Sequence, residues 1–236
     1  VEISKKRTGN FMKAMILAAG FGSRMQQLTK TMPKPLLEVG GSTLIERSII
    51  SLMNSGVDKF VINVSYLGDQ IKSALSSLKV PGIIVIDEPF PYGTGGALVN
   101  ARDFLGNDPF ILSSADILFN PDLTQLPPST DAVHLIATEN PEHNKEGDFS
   151  LREGVVFIKD GVNDYTYSGV ALLNPKILDE HLTSKFPFDL WNTILRPLIE
   201  ESEVTAHVDN SFWIDIGTPD RLKLARTILK DENYQL

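Results

Sequence analysis

The stretch Met15-Ile-Leu-Ala-Ala-Gly-Phe-Gly-Ser-Arg24 constrains the fold more than any other part of this chain. Ala14 to Ala18 is a short apolar run of the kind that forms a buried strand, and Gly20, Gly22 and Ser23 interrupt it at once. Glycine admits positive φ and lets backbone N–H groups come close to a ligand. A turn of such groups is a concavity for an anion, and a polyphosphate is its usual occupant. Arg24 then supplies a planar donor fork, and Lys34 a compact point charge between Pro33 and Pro35. The two prolines narrow the backbone freedom of the lysine. A strand, a glycine turn and two fixed cations predict a nucleoside triphosphate site.

Other glycine motifs fit less well. The dinucleotide fingerprint G-x-G-x-x-G needs a third glycine where this chain has Met25. The string G-x-x-x-x-G-K-[ST] of the triphosphate P-loop does not occur. An ordinary glycine loop remains the plain alternative, and Arg24 with the Pro-Lys-Pro stretch weighs against it.

Composition sets the outer bounds. With 236 residues, 42% of them apolar, the chain has enough carbon for the core of one α/β unit. A formal net charge of −8 argues against nucleic acid or an anionic membrane as partner, since clustered Lys and Arg drive that binding. An acidic protein that takes an anionic substrate must therefore gather its cations locally or recruit a metal. The absence of cysteine excludes disulfides and thiolate zinc sites, and the four histidines lack metal-ligand spacing. Lys5-Lys6-Arg7 ahead of Met12 to Gly20 imitates a signal peptide, but Lys13 and the glycines interrupt its apolar part. Residues 1–11 are expected to be an extension of little consequence, and 12–236 one domain, cytoplasmic and without a membrane span.

Periodicity predicts the elements. Thr43-Leu-Ile-Glu46 is a capping box that opens a helix carrying Leu44, Ile45, Ile49, Leu52 and Met53 on one face, with Gly56 as its stop. A strand over Lys59 to Val64, a helix on Leu67, Ile71, Ala74, Leu75 and Leu78, and a strand over Ile83 to Ile86 follow. This alternation predicts a Rossmann-like α/β fold, a mostly parallel sheet with helices on both faces. Residues 87–96 read as a loop before a helix from Ala97 to Leu105, and Pro109 to Ser113 as the next strand. Ligand crevices lie beyond the carboxyl ends of parallel strands, which places Gly20 and Asp116 together. A solvated turn aspartate is the other reading of Asp116.

The second half carries strands without intervening helices, at Ala132 to Thr138, Val155 to Ile158 and Tyr165 to Leu173. It predicts a small β-rich insertion forming a lid or sugar pocket over the first half. A short helix begins at Asn174-Pro175, a longer one over Asp189 to Glu200 is broken at Pro197, and Val204 to His207 is a strand. Trp213-Ile-Asp215-Ile-Gly217 then leads to an N-cap at Thr218 and a closing helix to Lys230. That helix should pack on the sheet by Leu222, Leu224, Ala225 and Leu229.

Leu17-Ala-Ala-Gly-Phe-Gly-Ser-Arg24 with Pro33-Lys-Pro35 resembles the signature of the sugar-1-phosphate nucleotidyltransferases, and the resemblance runs from Met12 to the far end of the chain. Gln27 stands where that family often has proline and Met32 where it has threonine. Neither is charged, which implies altered loop packing rather than lost chemistry. The resemblance implies a nucleotide site formed by Leu17, Ala18, Ala19, Gly20, Gly22, Ser23, Arg24 and Lys34, with Arg24 and Lys34 at the reacting phosphates. It implies Mg2+ on Asp116 and Asp215, and Thr94 and Gly95 beside the base. A glycine turn before a helix is the equal alternative for Thr94 and Gly95.

Further along, Asn140-Pro-x-His143, Gly147-Asp-Phe-x-Leu151, Tyr167-Ser-Gly169 and Trp213-x-Asp-Ile-Gly-Thr-Pro219 resemble the branch that joins UTP to N-acetylmuramate 1-phosphate in cell-wall sugar recycling. Glucose-1-phosphate branches usually carry Tyr-Gly-Val in place of Gly-Asp-Phe. The match implies sugar contacts at Ser114, Asp148, Ser168 and Gly169, whereas a strand-entry turn with Phe149 in the core would explain Gly-Asp-Phe equally. The partners implied are small molecules, a nucleoside triphosphate and a sugar 1-phosphate. A glucose- or mannose-1-phosphate branch is the alternative within the family. A non-catalytic nucleotide-sugar sensor is the alternative outside it, and retention of Lys34, Asp116 and Asp215 speaks against the sensor.

Overall fold

A computed structural model of the protein describes residues 12–229. The N-terminal extension, 1–11, and the proposed helix end at Lys230 lie outside the described residues. The first apolar run forms β1 (Met12–Leu17), and the short hairpin β2 (Glu38–Val39) and β3 (Ser42–Thr43) leads into α1 (Leu44–Asn54). Thr43 caps α1 as a capping box: its hydroxyl accepts from the Glu46 N–H at 3.3 Å, and its own N–H donates to the Glu46 carboxylate at 2.7 Å. Then come β4 (Val57–Val64), α2 (Gly68–Ser77), β5 (Ile83–Asp87), α3 (Gly93–Asn100), α4 (Arg102–Leu105), β6 (Phe110–Ser114) and β7 (Ile117–Phe119). The second half adds β8 (Val133–Glu139), β9 (Ser150–Arg152), β10 (Val155–Phe157), β11 (Tyr165–Leu173), α5 (Arg196–Glu200), β12 (Val204–Val208), β13 (Trp213–Asp215) and α6 (Pro219–Ile228).

Nine strands form one sheet in the order β5-β4-β1-β6-β11-β8-β12-β10-β9. β11 and β10 run against the other seven, so the sheet is mostly parallel in direction and mixed in its pairings. One face is covered by α3, α4 and the helix over 190–200, which bury Leu98, Leu105, Leu190, Ile194 and Ile199. The opposite face is covered by α1 and α2, with Ile45, Ile49, Leu52, Ile71 and Leu75 buried, and by Leu123 and Leu126. Apolar side chains on both sides of each central strand are what a sheet sandwiched between helices requires.

Several expectations need correction. The strands of the second half make no lid: β8 to β12 continue the central sheet outward, because β11 offers β6 a full ladder from Val170↔Ser113 to Leu173↔Phe110. The helix after β5 starts at Gly93 rather than Ala97 and is divided at Ala101. Pro197 does not break its helix. The turn over Trp191–Leu195 widens so that the Arg196 N–H reaches the Trp191 carbonyl, five residues back, and the proline ring is accommodated within a continuing helix. Met53 is 41% exposed and Leu224 51%, so neither belongs to a buried face. α6 packs through Leu222 and Ala225 on Met25, Leu118, Ile214 and Ile216, a separate small core beside the main sheet.

Candidate active site

β1 and β6 are neighbours at the place where chain order reverses across the sheet, and such a switch point leaves a crevice at the carboxyl ends of the strands. Leu17 lies opposite Ser114, and the Ala115 N–H donates to the Leu17 carbonyl at 3.1 Å. The glycine turn leaving β1 and the Ser114-Ala115-Asp116 corner leaving β6 thus face one another across a cleft of about 330 Å3. The cleft is lined by Leu17 to Gly20, Gly22 to Met25, Lys34, Pro35, Asn63, Glu88, Pro91, Gly93, Thr94, Ser114 to Asp116 and Gly217.

The basic wall follows from local geometry. Gly22 takes φ 62°, ψ 29°, a left-handed conformation that opens the 3-10 turn over Ser23–Thr29. Thr29 closes that turn by donating its hydroxyl to the Gly22 carbonyl at 2.9 Å. Lys34 begins a second 3-10 turn, where Pro33 provides the extended entry and Pro35 needs no N–H partner. The lysine is 9% exposed, and its ammonium pairs with the Asp116 carboxylate. Arg24 is exposed on the cleft wall and makes no hydrogen bond or ion pair to another described residue. These cations create a local basic field in a protein of net charge −8.

The opposite wall carries polar residues that the sequence reading did not pick out. Asn63, at the end of β4, accepts from the Ala18 N–H at 3.0 Å and donates to the Glu88 carboxylate at 2.8 Å. Glu88 accepts in turn from the Tyr92 N–H at 2.8 Å, and the chain Ala18–Asn63–Glu88–Tyr92 ties the phosphate turn to the start of α3. Burial pushes the Glu88 carboxyl above its usual range, opposed by those two donors. A signal existed: Asn63 interrupts the apolar run from Phe60 to Val64, and Glu88 follows closely on the apolar run from Ile83 to Ile86.

Asp215 arrives by a route no periodicity announced. β7 follows directly on Asp116 and pairs with β13 antiparallel, Ile117 opposite Asp215, and the Ile216 N–H donates to the Asp116 carbonyl at 2.7 Å. The two aspartates therefore stand on neighbouring strand ends. The Asp215 carboxylate lies 2.7 Å from the Arg221 guanidinium and 3.0 Å from Nε2 of His143, whose ring stacks on Trp213. Its Oδ1 is a buried atom without a hydrogen bond. Among the described residues no cluster of three or more acidic or histidine side chains is set to hold a metal. Two carboxylates on neighbouring strand ends are of the kind magnesium takes, since it binds one or two carboxylates and completes its shell with phosphate oxygens and water. Asp116 and Asp215 are the residues that would hold it.

The remaining candidates divide. Thr94 lines the cleft, but its hydroxyl accepts from the Leu190 N–H at 2.8 Å. Gly95 faces away from the cleft: a Cβ there would lie 2.5 Å from the Phe188 ring, so helix packing accounts for this glycine. Asp148 spends both oxygens inside the protein, on the Tyr167 N–H at 2.8 Å and the Asn144 amide at 3.0 Å. Phe149 is buried in the core, as the strand-entry reading has it. Ser168 is 0% exposed and its hydroxyl accepts from the Val170 N–H at 3.2 Å, while its carbonyl accepts from Trp213 Nε1 at 2.8 Å. Gly169 sits against Ser114, where a Cβ would be 3.3 Å from the serine oxygen. Of the four expected sugar contacts, Ser114 alone lines the cleft.

Comparison with known proteins agrees with this arrangement. Residues 13–132 match the family model described as nucleotidyl transferase. The chain is 37% identical over 229 residues to the N-acetylmuramate alpha-1-phosphate uridylyltransferase of Neisseria meningitidis serogroup B, covering 92% of this chain and 98% of that one. It is 27% identical to the mannose-1-phosphate guanyltransferase of Aspergillus oryzae, covering 88% of this chain and 61% of that longer protein. The inositol-1-phosphate CTP transferase structure from T. maritima shares the fold, with a TM-score of 0.78 at 22% identity over 96% of this chain and 99% of that one. No described helix is long and apolar enough to cross a membrane.

Proposed function

The chain belongs to the nucleotidyl transferase family and is a nucleotidyltransferase acting on a sugar 1-phosphate, and from that premise we propose that it joins UTP to N-acetylmuramate 1-phosphate, releasing pyrophosphate. The observation that carries this reading is the convergence of the glycine turn, Lys34, Asp116 and Gly217 on one cleft, with the Asp215 strand end paired beside Asp116, in a chain similar over nearly its whole length to a uridylyltransferase.

In this reaction a phosphate oxygen of the sugar 1-phosphate attacks the α-phosphorus of the nucleotide, a new P–O bond forms, and the bond to pyrophosphate breaks. Both reactants are anions, so catalysis is chiefly positioning and charge neutralisation. The N–H groups of residues 20–24 cradle the β- and γ-phosphates, and Arg24, without a hydrogen bond or ion pair to another described residue, closes on them. Lys34, now paired with Asp116, transfers its contact to the reacting phosphate. Asp116 and Asp215 would hold magnesium, which would supply neutralisation of charge on the phosphate oxygens. The sugar lies beyond Ser114 toward Gly169 and the 140–149 loop, where Asp148 holds Tyr167 and Asn144 in place. The same reading assigns the enzyme to the cytoplasm, where UTP is made, in recycling of cell-wall sugar.

The test is release of pyrophosphate from UTP and N-acetylmuramate 1-phosphate. It should stop with a chelator and resume with magnesium. Asp116→Asn and Asp215→Asn should each lose roughly 10²-fold or more in kcat. The double variant should lose little beyond either single, because the two act as one site. Multiplicative losses, or activity that survives the chelator, would remove the shared metal site from the account.

A further inference from the structure

We propose that Arg221 is a positioning residue that fixes the Asp215 carboxylate at the edge of the cleft, and that Gly217 is glycine to let it do so; this rests on the metal-holding role given above to Asp215. Asp215 ends a strand of only three residues, β13, which pairs with a strand equally short. So short a ladder leaves the side chain free to turn. Arg221, in the first turn of α6, lies 2.7 Å from Asp215 Oδ2 and is 14% exposed. Thr218 sets this turn, its hydroxyl accepting from the Arg221 N–H at 3.3 Å.

Among the described residues the guanidinium has no other partner. Its Nε and Nη2 are buried without a hydrogen bond, so the contact with Asp215 is one of charge rather than of aligned donors. Leaving buried donors unpaired is costly, and an arginine held so is there for its neighbour. Gly217 points the same way. Its backbone is not in the left-handed region, so the chain does not need glycine for its conformation. A Cβ at 217 would instead fall 1.8 Å from Arg221 Nη2 and 2.9 Å from Asp215 Oδ2. Any larger residue would drive the guanidinium off the carboxylate.

α6 also carries Leu222 and Ala225, which share a core with Met25 of the phosphate turn. The arginine thereby sets Asp215 in register with the turn across the cleft. His143 touches the other carboxylate oxygen from an exposed loop, a less rigid support.

The experiment measures Mn2+ binding to the intact protein by the electron paramagnetic resonance signal of the free ion, with no turnover involved. Asp215→Asn is the benchmark. Partners that orient a metal ligand typically alter affinity about 10- to 100-fold, so Arg221→Ala and Gly217→Ala should each weaken Mn2+ binding by that factor. Arg221→Lys should fall between Arg221→Ala and the parent. Arg221→Ala combined with Asp215→Asn should bind no more weakly than Asp215→Asn alone. If Arg221→Ala proves unfolded by circular dichroism, Arg221→Gln decides by the same criterion, since the methyl of Gly217→Ala would also come within 2.9 Å of Asp215 Oδ2 itself. Affinity within twofold of the parent in folded Arg221→Ala or Gly217→Ala, while Asp215→Asn loses it, overturns the role of Arg221 and leaves that of Asp215 intact. Unchanged affinity in Asp215→Asn overturns the metal assignment, and the role of Arg221 with it.

Discussion

Gly22→Ala separates the shape of the phosphate turn from its chemistry. Gly22 sits at φ 62°, and an L residue held there costs about 1–2 kcal/mol. For a domain of this size each kcal/mol moves Tm by about 2–4 °C, so the variant should melt about 2–8 °C lower. The new Cβ would also lie 3.0 Å from Thr29 Cγ2 and 3.1 Å from Lys34 Cβ. Thr29 is buried and bonded to the Gly22 carbonyl, and Lys34 is held between prolines. Lys34 must then shift by a few tenths of an ångström. A misplacement of about 1 Å at a catalytic centre costs on the order of 10²-fold, so the smaller shift should lower kcat about tenfold. Gly20→Ala is the control: nothing lies within 4 Å of its Cβ, and its φ is outside the left-handed region. It should keep the parent Tm and raise only the KM for nucleotide, where the methyl meets the ligand. Differential scanning calorimetry and steady-state pyrophosphate release read the two effects separately. The reasoning fails if Gly22→Ala keeps kcat within twofold, or if Gly20→Ala melts as early as Gly22→Ala.

Lys34→Ala should leave the fold intact and cut kcat by about 10²- to 10³-fold, as loss of one charge-stabilising contact does; near-parent turnover would remove Lys34 from the reacting phosphate. Stability should fall as pH drops from 7 to 5. His134 is buried, and burial with the His207 ring beside it lowers its pKa to about 4. The unfolded imidazole, near 6.5, then takes up a proton that the folded one refuses. The loss is about 2 kcal/mol between pH 7 and pH 5, and it is absent above the unfolded pKa. Urea unfolding of His134→Gln should show most of that slope removed. Asp148→Ala leaves the part-buried Tyr167 N–H without its acceptor and should lower Tm while raising the sugar KM more than the nucleotide KM; an unchanged sugar KM would confine Asp148 to stability.

What could be read in the sequence was what local chemistry determines. The capping box at Thr43, the N-cap at Thr218, the stop at Gly56 and the strand-turn-cation order from Ala14 to Lys34 depend on neighbours a few residues away, and they appear where expected. The meeting of the glycine turn with Asp116 followed from the general rule for parallel sheets. What was not legible depends on partners far along the chain. The β7–β13 ladder is too short to carry a period, so only the fold shows how Asp215 comes beside Asp116. Likewise, a Gly-Asp-Phe string does not reveal that Asp148 is consumed by a backbone N–H in another strand. Glycine 95 looks like a ligand-facing glycine until Phe188 is seen against it. Leu224 and Met53 had helical spacing, but each helix buries a narrower stripe than the pattern suggested.

The most direct test of the central claim is a comparison of kcat/KM for N-acetylmuramate 1-phosphate, glucose 1-phosphate and mannose 1-phosphate, each with UTP and with GTP, at fixed magnesium. Mass spectrometry would identify the nucleotide-sugar formed. The account predicts UDP-N-acetylmuramate as the product of the fastest pair, with pyrophosphate released in equal amount. Faster turnover of glucose 1-phosphate, or of mannose 1-phosphate with GTP, would contradict it and assign the chain to another branch of the family.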